Sequence, residues 1–157
     1  MIPENTGFCA EILTRIGPTE SEEKIRSMLF ALFEDVAFER KGAIIAGKTS
    51  FPSDIEKLRM RIFEKRVLDT FRSRLVSNAS GNETFLLLHK QALSVGRVSI
   101  VDSEEESPLG AVKVVLSANP LFSLIDWLSP ETREGIPLRR LPDSESNNKE
   151  PTPEEIE

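Results

Sequence analysis

The chain has 157 residues, 39% of them apolar, which is enough to bury one core and normally makes a single domain. No stretch approaches the roughly 20 apolar residues of a membrane span, and Met1-Ile2-Pro3-Glu4-Asn5 lacks the basic start and apolar run of a signal peptide, so a cytoplasmic protein without membrane contact is expected. A lone Cys9 and a lone His89 exclude an intrachain disulfide and a structural zinc site, and the net charge of -6 gives no sign of a uniformly basic surface.

In chain order, Phe8, Ala10, Ile12 and Ile16 fall on one face at a period of two, with Glu11 and Arg15 on the other, which predicts a strand over 7–16 with one covered face. Gly17-Pro18 ends it. Thr19 with Glu22 three residues on forms a capping box, and Ile25, Met28, Leu29, Leu32 and Phe33 recur at helical spacing, predicting a helix over about 20–33. Residues 36–40 and 43–48 read as a strand pair turning at Lys41-Gly42. Ser53 and Glu56 form a second capping box. The stripe Ile55, Leu58, Ile62 is out of phase with Leu68, Phe71, Leu75, so two successive helices are predicted with a break near 64–66.

Ser77 to Asn82 is turn-forming. Strands are predicted over 84–88, 97–101 and 111–116, joined by a short irregular segment and by an acidic turn at 103–107. Pro108 and Gly110 suit a type I turn over Ser107-Pro108-Leu109-Gly110. Asn119 is expected to cap a last helix with Pro120 at its first position and Leu121, Phe122, Leu124, Ile125 and Leu128 buried, and Pro130 follows its end. Ile12, Leu29, Phe33, Leu87, Val98, Val114, Ile125 and Trp127 should share one core. The element order β-α-β-β-α-α-β-β-β-α argues against alternating βαβ units, and the fold class is α+β, a two-layer sandwich with a mostly antiparallel sheet covered by helices. The domain is set at 1–135. Beyond it, residues 136–157 read as a disordered acidic tail: from 141 onward six carboxylates face Lys149 alone, among Pro142, Pro151 and Pro153, leaving the first 140 residues nearly neutral.

Candidate chemistry is sparse. Gly42 to Thr49 matches the spacing of a phosphate loop, but Ala43-Ile44-Ile45-Ala46 reads as strand where the loop should be, and Phe51-Pro52 delays the helix, so nucleotide binding is not expected. Cys9 has no neighbouring base, and His89 reads as a strand-end histidine satisfied by backbone. Glu104-Glu105-Glu106 cannot converge on one cation. Trp127 reads as a core anchor. No acid, base and nucleophile set converges, so no enzyme, cofactor or metal is predicted. The exception is a basic stretch: Lys57, Arg59, Arg61, Lys65, Arg66, Arg72 and Arg74 against Glu64 and Asp69, which neighbouring strands could extend with Lys90. A positive helical surface attracts phosphates whatever their sequence. With no tyrosine in the chain, stacking on single strands is not expected.

Five blocks carry a family resemblance: Pro18-Thr19-Glu20-Ser21-Glu22-Glu23-Lys24, Val67-Leu68-Asp69-Thr70-Phe71-Arg72-Ser73, His89-Lys90-Gln91-Ala92, Glu106-Ser107-Pro108-Leu109-Gly110 and Leu124-Ile125-Asp126-Trp127-Leu128. Over about 7–135 the chain resembles the UPF0201-type archaeal family of small uncharacterised proteins, whose fold is similar to that of the fifth large-subunit ribosomal protein. The resemblance implies RNA binding and supplies no catalytic residues. The expected function is a module for structured RNA using Lys57, Arg61, Lys65, Arg66, Arg72, Arg74 and Lys90. The alternative is a protein-interaction or assembly module, a homodimer included, using a sheet edge or a helix face without nucleic acid.

Overall fold

Period-two burial organises β1 (Cys9–Arg15), β3 (Ile44–Thr49) and β5 (Ala111–Ser117), and with β2 (Phe38–Lys41) and β4 (Glu83–His89) these form one antiparallel sheet in the order β2-β3-β1-β5-β4. A computed structural model describes residues 7–64, 68–103, 105, 109–130, 132–133 and 136–137. β1 lies centrally, with Ile12 opposite Gly47 on β3 and Val114 on β5. Helices α1 (Glu22–Leu32), α2 (Glu56–Glu64), α3 (Leu68–Ser77), α4 (Lys90–Ser94) and α5 (Leu121–Leu128) follow, and side chains from all five join the sheet's inward residues in one core. This is the expected α+β sandwich: Ile12, Leu86, Leu88, Val114 and Leu116 are fully buried beneath Leu29, Leu58, Leu75 and Leu124.

Several local expectations shift. Ser21, not Thr19, caps α1: its Oγ accepts the Lys24 N–H at 3.4 Å, while the neighbouring Glu20 accepts the Gly17 N–H at 2.7 Å. β2 begins at Phe38 rather than 36, since the Val36 N–H donates to the Phe33 carbonyl and closes the helix end. The hairpin residues are Gly42-Ala43, one on from the expected pair, with Gly42 at φ +62, a conformation glycine adopts without a Cβ penalty. Ser53 does not cap α2. Instead Pro52–Ile55 form a 3-10 turn, entered through Thr49, whose hydroxyl accepts the Phe51 N–H and donates to Asp54. α2 is described to Glu64 and α3 from Leu68, and the expected break near 64–66 falls on residues 65–67, outside the described residues.

The expected strand over 97–101 reduces to a single bridge, Leu88 to Ile100, along the outer edge of β4, where His89 N–H donates to Ser99 O and Val101 N–H to Leu87 O. The segment before it is not irregular but helical: α4 is capped by His89, whose Nδ1 accepts the Ala92 N–H at 3.1 Å, and it buries Ala92 and Leu93. α5 starts after a cis Asn119–Pro120 bond with Pro120, not Asn119, at the cap, and Phe122 is 65% exposed rather than buried. Leu87 is the one misplaced member of the expected core: it packs with Val101, Ala111 and Phe85 on the opposite face of the sheet. The turn residues Ser107 and Pro108, and the tail from 138 onward, lie outside the described residues. A two-residue strand pair, β6 (Thr132–Arg133) with β7 (Ile136–Pro137), straddles the expected domain boundary. Among the described residues no helix is long and apolar enough to cross a membrane.

Candidate nucleic-acid interface

α2 turns Leu58 and Ile62 into the core, behind Ile55 of the preceding 3-10 turn, so its other positions carry the charge. Lys57 points outward and its Nζ lies 2.8 Å from a Glu34 carboxylate oxygen, both side chains about half exposed. Arg61 donates to the Gly96 carbonyl at 2.6 Å. On α3, where Phe71 and Leu75 face inward, Arg72 pairs with Asp126 of α5 at 2.7 Å and donates to the Ser129 carbonyl, and Arg74 reaches Asp102 at 2.5 Å. Lys65 and Arg66 lie outside the described residues. Lys57, Arg61, Arg72 and Arg74 therefore do come from one pair of successive helices, but each leans on an acceptor from a different part of the chain: the segment after α1, the turn after α4, α5 and the segment beyond Val101.

Two basic residues belong to the interior. Arg59 is buried between Phe63 and Trp127, its guanidinium carbon 5.1 and 4.8 Å from the two ring centroids, while Nε donates to the Trp127 carbonyl and a terminal nitrogen to Glu56. Stacking plus a carbonyl and a carboxylate acceptor lets a cation remain buried, and here it fastens α2 to the end of α5. Lys90, expected on the surface, is only 2% exposed. Its ammonium donates to the Glu20 carboxylate at 2.9 Å and to the carbonyls of Arg15 and Leu109, tying the end of β1 and the approach to α1 to the start of α4. Burial alone would push the Glu20 carboxyl up, but the Gly17 N–H and the Lys90 ammonium outweigh it and hold the group below its ordinary value. Arg59 had a sequence signal, since it lies four residues after Ile55 and so on the apolar side of the helix. Lys90 had none, its partner lying 70 residues away.

The other candidates have structural roles. Gly42 to Thr49 is a hairpin turn and strand with Gly47 buried, leaving no phosphate cradle. His89 is a helix cap, Trp127 is buried beneath Arg59, and Cys9 is half-buried opposite Ser117. Of the acidic triplet only Glu105 is described, and it is exposed. Among the described residues no three His, Cys, Asp or Glu side chains gather as a metal site.

A family model described as RNA binding matches residues 10–118, from the first residues of β1 through β5. A UPF0201 protein of Sulfurisphaera tokodaii is 37% identical over 131 residues, covering 81% of this chain and 90% of its own. One from Aeropyrum pernix is 33% identical over 135 residues, covering 82% and 90%. A crystal structure of an uncharacterised UPF0201 protein superposes with a TM-score of 0.69 at 31% identity, over 82% of this chain and 98% of that one. The fold recurs in the UPF0201 protein of Methanococcus jannaschii, with a TM-score of 0.70 at 24% identity. The chain belongs to the UPF0201 family.

Proposed function

We propose that this protein is a non-catalytic RNA-binding module that works in the cytoplasm and holds structured RNA by its phosphates, through the outer side of α2 and α3. The observation that carries the reading is that the family model described as RNA binding spans both helices. Chemistry supports it: the residues from Glu56 to Ser77 hold seven lysines and arginines against three acids, in a chain that is acidic overall. The cations of this stretch that reach solvent are Lys57 and Arg61, with Arg72 and Arg74 more deeply held, and Lys65 and Arg66 sit in the same stretch. The Lys57–Glu34 pair is of the surface kind, worth about 0–1 kcal/mol, so a phosphate oxygen can replace that carboxylate at little cost, while Arg61 is held by a backbone carbonyl alone. Lys90 and Arg59 are left out of the interface because both are buried.

The test measures binding of the full chain to a hairpin RNA and to a single strand over a range of salt. Hairpin binding should weaken steeply as salt rises. The Lys57→Gln/Arg61→Gln double variant should lower the slope of log affinity against log salt by about one to two units, at roughly 0.7–0.9 per phosphate contact. No binding to either RNA at low salt would sink the proposal. The assembly-module reading, which the uncovered face of the sheet favours, would then stand in its place.

A further inference from the structure

Among the described residues the helices cover one face of the sheet and leave the other to alternate residues of the same strands. Across its middle, one row runs Glu39, Ala46, Leu13, Lys113 and Leu87 from β2 to β4, and the next runs Lys48, Glu11, Val115 and Phe85. Leu13, Ala46, Val115 and Phe85 are half-buried, an apolar centre lying open between charges. The Lys113 ammonium lies 4.7 Å from the Phe85 ring centroid, so its stem adds to that apolar area.

We propose that this open face docks a second copy of the chain, sheet against sheet. The charge pattern selects the occupant. Glu11, Glu39, Lys41 and Lys48 make no ion pair with another described residue, although six of the eight cations on the described helices do. Both signs sit side by side on the β1–β3–β2 half of the face. A two-fold axis turns such a patch onto itself and sets the acids of one copy against the lysines of the other, which is the self-complementarity an isologous interface needs. A phosphate backbone would meet Glu11 and Glu39 as often as the lysines. The size also fits: at about 3.3 Å per residue and about 4.8 Å between strands, the five strands spread over about 500 Å² in projection before side-chain relief is added. A standard interface takes roughly 800 Å² of accessible surface per partner, which the corrugated face and its flank at Val101 bring within reach.

Edge pairing is the weaker route. The outer edge of β4 already bonds to Ser99 and Val101, and the Asn78 side chain takes the Phe85 carbonyl, while β2 is a four-residue edge ending in Glu-Arg-Lys. Face-to-face packing at about 10 Å leaves both helical layers outermost, so the dimer neither requires nor blocks the RNA reading.

Sedimentation of the full chain over a concentration series reads the mass directly. The expected result is twice the 17.6 kDa of one chain at high concentration, falling toward one on dilution. Val115→Lys, which puts a charge at the centre of a face that is open in the monomer, should weaken the dimer about tenfold or more with unchanged circular dichroism. Glu11→Lys should also weaken it, and Glu11→Lys/Lys48→Glu should recover much of the loss, a reciprocity that a nonspecific apolar patch would not give. A chain that stays monomeric at every concentration overturns the proposal. So does a dimer that Val115→Lys and Glu11→Lys leave intact, or a monomer that loses RNA affinity on Lys48→Gln, which would make this face a nucleic-acid platform.

Discussion

The two faces of the sheet are made by the same strands and differ in every other respect. Along β1 the even positions Ala10, Ile12 and Thr14 are closed to solvent, while Cys9, Glu11, Leu13 and Arg15 remain half-buried or exposed between them. The inward set is apolar but for Thr14, whose hydroxyl donates to the Ala111 carbonyl at 3.1 Å. The outward set mixes acids, bases and aliphatics. Fold and encounter chemistry are thus written one residue apart, so a substitution that disturbs one face has little effect on the other.

The largest effect is expected where the layers are tied by charge rather than by apolar contact. Glu20 and Lys90 are both mostly buried, and Glu20→Ala leaves the ammonium with only backbone carbonyls. Breaking a buried pair from one side costs about 3–5 kcal/mol, because a desolvated charge is left behind. Lys90→Met should cost less, since the freed carboxylate still accepts the Gly17 N–H and lies nearer to solvent. The folded-state pKa of Glu20 is depressed, so its contribution is present above the ordinary carboxylate range and lost as pH falls through the depressed value. Denaturant melts of wild type and Glu20→Gln should therefore differ most near neutral pH and converge in acid. A gap that widens in acid would reverse the assignment.

The comparison of faces is tested most directly by neighbours. Ile12→Ala opens a cavity in the closed layer and should cost about 2–5 kcal/mol, whereas Leu13→Ala should cost the monomer about 1 kcal/mol or less. Equal losses in chemical denaturation at low concentration would mean that the outer face is covered in the free chain.

Much of this was legible in the sequence where periodicity was clean. β1, α1, the hairpin and α5 follow from spacing and turn residues. The failures have physical causes. Phe85-Leu86-Leu87-Leu88 is apolar at every position because β4 buries both faces, so no period assigns Leu87 to the outer cluster. The α2–α3 cations were visible as a cluster, but Glu34, Gly96, Asp102 and Asp126, which hold them, come from distant elements. Lys90 reads as a surface lysine until the fold brings Glu20 to it.

A smaller loss than at the buried ion pair or at Ile12 is expected at the seam between β3 and the residues that follow α1. Gly47 lies on the closed face opposite Ile12, and a Cβ there would stand 2.7 Å from the Ala37 carbonyl oxygen, 2.8 Å from a Val36 methyl and 2.9 Å from the Phe38 ring. The ring and methyl can turn aside, but the carbonyl belongs to the chain entering β2, which pairs with β3 at Phe38 and Gly47. Gly47→Ala must then move backbone, and overpacking of this kind costs about 1–3 kcal/mol. The cost should be local: exchange protection should fall in β2 and in the β2–β3 pairing while β4 and β5 stay protected, since they share no contact with the displaced carbonyl. Ala46→Ser, one residue earlier and facing outward, should leave both stability and protection unchanged. A stable Gly47→Ala with intact protection would show that β2 floats on the sheet edge and that the closed face ends at β3.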